Sequence, residues 1–176
     1  VGAEEYGLYF ALFNFTFLFN IILDAGINNF NNRNIAQNQQ LLDKHFPGII
    51  VLKAVLAMVY FASILLFGFI LGYRGNNIEL MIALGVNQFF FLLILFLRTN
   101  VSGLQHYKYD SMLSVLDRVI MIALCSAILW GGIQKNPLSI LEFVYLQTFS
   151  YFLTSAVAFL VLLPRMNLLV PKWDRP

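Results

Sequence analysis

The chain has 176 residues, of which 60% are hydrophobic and only 11% are charged, and its formal net charge is +2. This composition excludes an ordinary soluble domain, in which about a quarter of the residues are charged, and it indicates an integral membrane protein. The single cysteine, Cys125, excludes an internal disulfide and a multi-cysteine metal site. The chain begins at Val1 rather than at a methionine, and no signal-peptide pattern is seen, so we expect a piece of a longer protein.

Five apolar segments are long enough to cross a bilayer, which takes about 20 helical residues. They lack the alternating polarity of transmembrane strands, so the predicted fold class is all-α integral membrane with five transmembrane helices. Pro47 and Pro137 stand where helices can begin, and Pro164 is expected to end the last span. The predicted spans are 6–23, 47–71, 78–97, 111–133 and 138–163, followed by an inner-face linker, 164–176.

Lysine and arginine residues outside the spans predict the orientation. Three segments carry seven of these residues and the other three carry two. Basic residues favour the cytoplasmic side, so the sequence predicts that the Val1 end is outside and the Pro176 end inside. Five spans that start outside also predict at least one earlier span. The basic segments are 24–46, 98–110 and 164–176, and the others are 1–5, 72–77 and 134–137.

Polar side chains recur inside the spans at helical spacing. In the first span they lie within an arc of about 80° that includes Asn20 and ends at Asp24. The third span has adjacent Asn87 and Gln88, and Arg98 lies nearly in line with Asn87. The serine and threonine residues of such stripes are interpreted as contacts between helices.

The charges in the spans receive a different interpretation. We expect Lys53 either to reach the inner interface or to pair with Asp117, which lies at similar depth. Adjacent residues of a helix do not face each other, so Asp117 and Arg118 each need a partner from elsewhere, and Arg118 is left for a ligand or another carboxylate. Asp24 and Arg33 are expected either to pair and shape a gate or to hold the 24–46 connection in place.

Most of these charges fall in the inner half of the predicted bundle, and a cavity that they lined would favour an anion from the cytoplasm. The candidate substrate-binding residues are Arg118, Lys53, Asp117, Asn20, Asn87 and Gln88, and the candidate gate residues are Asp24, Arg33 and Arg98.

The first fifth of the chain carries short motifs in a fixed order. They are Gly2-x-Glu4-Glu5-Tyr6-Gly7, Asp24-x-Gly26 and Arg33-x-Ile35-Ala36, and the segment 97–118 (LRTNVSGLQHYKYDSMLSVLDR) comes later. These features resemble the oligosaccharide flippases of polysaccharide biosynthesis, the Wzx-type O-antigen transporters, whose superfamily includes the MATE exporters.

The resemblance implies that the chain covers about helices two to six, within the N-terminal six-helix lobe of a MATE-like transporter. It implies a non-enzymatic flippase of the bacterial inner membrane that moves undecaprenyl-pyrophosphate-linked oligosaccharides by alternating access, for O-antigen or capsular polysaccharide synthesis. The expected partners are the lipid-linked oligosaccharide, membrane lipids and the polysaccharide assembly machinery. No cofactor is expected, and the choice of H⁺ or Na⁺ as a coupling ion stays open.

Three alternatives remain. A drug or cation antiporter of the same superfamily would need acidic residues deep in this lobe, whereas the deep charges here are mixed and lean basic. A membrane-embedded polysaccharide polymerase or ligase would need a large outer loop or a catalytic constellation, and neither is seen. A structural membrane subunit is weakly disfavoured by the polar stripes. The scattered basic residues do not predict nucleic-acid binding.

Overall fold

The structure is a computed structural model, and it describes residues 2–38, 41–130 and 139–165. Within these ranges the chain forms seven α-helices and one short 3-10 turn, and no strand. The helices are α1 (Ala3–Leu18), α2 (Asn20–Asp24), α3 (Ile27–Gln37), α4 (Leu41–Ile70), α5 (Asn76–Gly103), α6 (Tyr107–Trp130) and α7 (Ile140–Leu162), and the turn is Leu163–Arg165. Helices α4 to α7 are long and apolar enough to cross a membrane, and α1 with the segment after it makes a fifth, bent candidate. The predicted all-α membrane fold is confirmed.

Local sequence signals explain where the long helices begin and end. At the end of α4, Gly72 takes a left-handed conformation with φ of 83°, and the N–H of Tyr73 donates to the carbonyl of Gly68 at 3.1 Å. Helix α7 begins with a capping box in which Ser139 Oγ accepts from the N–H of Glu142 and the Glu142 carboxylate accepts from the N–H of Ser139. The short α4–α5 connection makes these two helices antiparallel neighbours.

The first predicted span, 6–23, is not one straight helix. Helix α1 ends at Leu18 and Phe19 interrupts it, and the segment Asn20–Gln37 runs at 40° to α1. After α2, Ala25 and Gly26 are both left-handed, with φ of 44° and 79°, and α3 begins. Much of the predicted connection 24–46 is therefore helical, because α3 and the start of α4 lie in it.

The prediction that Pro47 begins a helix is wrong, because Pro47 lies inside α4, six residues after its first residue, Leu41. The proline ring removes one backbone hydrogen bond, the one to the carbonyl of Asp43, and the helix continues through it. At the other end of the chain, α7 ends at Leu162, two residues before Pro164, as predicted. Residues 131–138, which include Pro137, and the linker from residue 166 onward lie outside the described residues.

Helix α5 is the centre of the bundle. It packs against each of the other six helices, and 61% of its most apolar segment is buried. The corresponding share for α6 is 6%, so α6 lies at the edge. Near the α3 end of α5, the apolar core joins α5 to four of the other helices through a cluster that contains Ile35, Leu42, Phe46, Phe96, Leu97, Val101, Leu113, Ala158 and Leu162.

Helix α3 packs on the last turn of α5 through a glycine. A Cβ at Gly103 would lie 2.9 Å from Ile35 Cγ2 and 3.0 Å from Ile35 Cβ, so only glycine allows this approach. One turn earlier, the Asn31 side chain donates to Asn100 Oδ1 at 2.8 Å, and both residues are buried. Small residues and amide bonds are the usual means by which membrane helices approach each other closely.

Gly103→Ala is expected to loosen α3 from α5 and to lower the stability of the purified protein by about 1–3 kcal/mol, the usual range for overpacking. The reason is that Ile35 Cβ adjoins the backbone and cannot move without it. Thermal unfolding in detergent measures the change. Gly48→Ala is the matched control, because a Cβ at Gly48 meets no atom within 4 Å. Equal melting temperatures for the two variants would contradict the close contact.

Candidate functional site

The break between α1 and α2 is held by a hydroxyl from α4. Tyr60 is fully buried, and its hydroxyl donates to the backbone carbonyl of Thr16 at 3.2 Å. Carbonyls in the last turn of a helix lack intrahelical partners, so this bond satisfies one that the interruption at Phe19 leaves open. On the far side of the break, the Oδ1 atom of Asn20 is buried and has no hydrogen-bond partner among the described residues.

Lys53 is paired with Asp24, and the prediction that it pairs with Asp117 is wrong. The Nζ of Lys53 lies 3.5 Å from Asp24 Oδ1 and 5.2 Å from the centre of the Phe96 ring. The Lys53 side chain is 6% exposed and the Asp24 side chain 25%. Helix α4 packs beside α2 and α5, whereas α6 packs on α5 and α7, so equal depth did not make Lys53 and Asp117 neighbours.

Arg118 lies halfway along α6, as the twelfth of its 24 residues. Its Nε atom lies 3.4 Å from Asp117 Oδ2, so the expectation that each residue takes its partner from another helix is wrong. The Arg side chain is long enough to fold back along the helix surface to the preceding residue. This contact leaves the Arg118 side chain 64% exposed, while that of Asp117 is 12% exposed.

Asn87 joins α5 to α7 through both ends of its amide. Its nitrogen donates to the Val144 carbonyl at 3.3 Å and to Gln147 Oε1 at 3.2 Å, and its oxygen accepts from the Thr148 hydroxyl at 2.6 Å. Gln88 is also buried, 5% exposed, and its side chain makes no hydrogen bond to the described residues. Because Asn87 is fully engaged, its role within this structure is to hold the two helices together.

The prediction that hydroxyls join helices holds for some hydroxyls of α7 and not for others. Ser150 is fully buried, and its hydroxyl donates to the backbone carbonyl of Asp117 at 2.6 Å, which ties α7 to α6. Thr154 is equally buried and donates to the Ser150 carbonyl of its own helix.

The predicted gate residues do not form one cluster. Arg98 donates to Asp110 Oδ1 at 2.7 Å, which links the ends of α5 and α6. Arg33 is exposed and makes no ion pair with the part of the chain that the structure describes, so the predicted Asp24–Arg33 pair is not formed. Asp24 is taken by Lys53 instead.

The structure therefore separates the candidate residues into two regions. Asp24 and Lys53, with Asn20 one turn from Asp24 on α2, lie around the break in the first span. Arg118 and Asp117 lie on α6, at the edge of the bundle. The described residues contain no group of three or more His, Cys, Asp or Glu side chains placed to hold a metal ion. In the first region the Lys53 cation is buried in its ion pair, whereas in the second region the Arg118 side chain remains largely exposed although it is paired with Asp117.

Tyr60, Asn31 and Asn100 were not among the residues predicted from the sequence. Asn31 stands in an amide-rich stretch, which was a signal for one partner, whereas nothing around Asn100 marked it. The structure places Asn100 fully inside the bundle. Tyr60 gave no signal, since a tyrosine in an apolar run is common in membrane helices.

Removing the two partners of the Lys53–Asp24 pair is expected to have unequal effects. Asp24→Asn leaves a buried cation and is expected to lower the free energy of unfolding by about 3 kcal/mol. Lys53→Met leaves a carboxylate that already reaches solvent, so we expect about 1 kcal/mol, and the double variant is expected to recover most of the Asp24→Asn loss. Unfolding in mixed micelles provides the measurement.

The Arg98–Asp110 pair is the matched control, because both of its side chains are 25% exposed. Arg98→Gln and Asp110→Asn are expected to have similar, smaller effects. The same symmetry at Lys53 and Asp24 would contradict the burial that the structure assigns to Lys53.

Comparison with known proteins agrees with the membrane fold and the sequence motifs. The model of one family, described as "Polysaccharide biosynthesis protein", matches residues 1–171. No curated protein and no solved structure gives a significant match. Since the matched region covers nearly all of the chain, this membrane protein belongs to the polysaccharide biosynthesis protein family.

Proposed function

We propose that the protein is a flippase that moves undecaprenyl-pyrophosphate-linked oligosaccharides across the bacterial inner membrane by alternating access, for O-antigen or capsular polysaccharide synthesis. Membership of the polysaccharide biosynthesis family and the four to five apolar helices support a transporter of polysaccharide precursors. Such a carrier must pass an anionic pyrophosphate through the apolar interior of the membrane, and this requirement calls for cations inside the spans.

The observation that carries the proposal is the exposed guanidinium of Arg118. It lies about 17 Å from the start of α6, at a rise of 1.5 Å per residue, and is therefore near mid-membrane. An arginine at this depth costs about 3 kcal/mol when it faces lipid, so it faces a polar cavity or another part of the protein. Its planar donors suit phosphate oxygens, which it can bind in a bidentate manner.

Lys53 is the second cation that we assign to this function. Its link to Asp24 is long, at 3.5 Å, and a phosphate group is a competing partner for the same ammonium. Its present partner, Asp24, directly precedes the left-handed residues Ala25 and Gly26, so exchange of that partner would act on the chain turn between α2 and α3. A drug or cation antiporter gains no support from these residues, because neither described region leaves an acidic side chain open for a cation.

Arg118→Gln is expected to abolish most flipping, because charge-assisted hydrogen bonds contribute about 1.5–3 kcal/mol, or about tenfold to a hundredfold in binding. The assay scores surface polysaccharide in a strain that lacks its own flippase and carries the full-length protein. Arg118→Lys is expected to retain part of the activity, since the charge is kept.

Arg74→Gln is the control, because Arg74 is exposed in the α4–α5 connection, away from the spans. Full rescue by Arg118→Gln at equal membrane levels would remove Arg118 from the mechanism. If the unmodified protein fails to restore surface polysaccharide and instead exports drugs, the conclusion would be a cation exporter and not a flippase.

The orientation in this proposal has the Val1 end in the periplasm and the Pro176 end in the cytoplasm, and the distribution of basic residues supports it. In a background from which all native cysteines, Cys125 among them, have been removed, a cysteine introduced at Asn77 is expected to react with a membrane-impermeant maleimide in intact spheroplasts. A cysteine introduced at Gln105 is expected to react only after permeabilisation. The opposite labelling pattern would mean that the protein has the reverse orientation in the membrane.

A further inference from the structure

Helix α3 has a buried face and an outward face of different chemistry. Asn28, Asn31 and Ile35 are buried against the bundle. Phe30 lies on the opposite side and is 69% exposed, and Arg33, one turn later, is exposed too. An exposed phenylalanine beside an exposed arginine is unusual for a helix surface that faces only water, and it is typical of a helix at a membrane interface.

The contacts with α5 fix the level of this face relative to the membrane. Asn31 bonds to Asn100, and Ile35 lies against Gly103, so α3 runs in the same sense as the last turn of α5. The Arg98–Asp110 pair, just before this turn, marks the end of the apolar part of α5. Phe30 is therefore closer to the apolar interior, and Arg33 is about 4.5 Å further out along the helix.

The charge on this face has no protein partner among the described residues. Arg33 is the only charged residue between Ala25 and Leu42. The acidic residue nearest to it in the chain, Asp24, is engaged by Lys53. Guanidinium groups bind phosphate oxygens well, and aromatic rings favour the boundary between acyl chains and headgroups.

We propose that the outward face of α3 binds the anionic phospholipid headgroups of the adjacent leaflet, with the Phe30 ring at the acyl–headgroup boundary and the Arg33 guanidinium on lipid phosphate. This lipid contact is separate from the transported substrate and does not depend on the proposed flippase activity. It holds α3, and through Asn31 and Ile35 the end of α5, at the membrane surface.

Quenching by brominated lipids tests the proposal on the full-length protein. A Phe30→Trp variant, with all native tryptophans, Trp130 and Trp173 among them, changed to Phe, is reconstituted with either brominated phosphatidylglycerol, which is anionic, or brominated phosphatidylcholine, which is neutral. We expect quenching to indicate about a fivefold local preference for the anionic lipid, which corresponds to about 1 kcal/mol per basic residue at the surface.

Arg33→Gln in the same background is expected to bring the preference to unity, while Arg33→Lys keeps most of it. Arg74→Gln, at the other end of the bundle, is expected to change nothing. High salt is expected to weaken the preference, because it screens exposed charges beyond about a Debye length.

Two results would overturn the proposal. No quenching by either lipid would mean that protein covers the outward face of α3, and equal quenching by both would mean a lipid contact without preference for anions. A second readout leaves Phe30 in place: added phosphatidylglycerol is expected to raise the melting temperature of the unmodified protein more than that of Arg33→Gln, and equal shifts would also count against the proposal.

Discussion

The packing of α5 against all the other helices is the contact on which the rest of this structure depends. Helix α5 carries much of the apolar core and the buried amides of Asn87 and Asn100, and these amides position α7 and α3. Helix α7 is held by amide and hydroxyl bonds, and α3 by an amide and a glycine contact. Helix α6 has fewer such bonds and retains most of its surface. It packs on α7 and α5 at the edge of the bundle, and Arg118 lies on its open surface.

From the sequence one could predict a membrane protein, its long apolar segments and its helical fold, because the length and hydrophobicity of a segment are nearly independent of tertiary packing. Side-chain partners were predicted poorly. Lys53 and Asp117 were matched by depth alone, whereas helices adjacent in the chain are usually neighbours in space, and that rule favours Asp24. Pairing between the amides of Asn31 and Asn100 depends on which helix faces meet, and one-dimensional spacing does not contain this information.

The boundaries of the helices were also predicted poorly from local sequence signals. Pro47 is a valid first-turn residue, yet the chain continues its helix for six residues before it. The segment 24–46 was predicted as a connection between spans, yet much of it is helical, and one of its amides, Asn31, has a buried partner on α5. Tertiary contacts override local propensity in both places. The break at Phe19 also lacked a local signal, since no proline or glycine marks it.

The bond between Asn31 and Asn100 has a consequence for how the protein responds to an energised membrane. The bond joins two neutral amides, so it carries no net charge for a transmembrane voltage to displace. Lys53 and Asp24 have opposite charges, so moving them together transfers almost none either. Arg118 is paired with Asp117, so a movement of α6 as a whole carries both charges and also transfers almost none. The Arg118 side chain is 64% exposed, however, so its guanidinium can move away from the buried Asp117 carboxylate. Only such a separation lets a voltage of 100 mV act on a net charge, at about 2.3 kcal/mol for a full crossing.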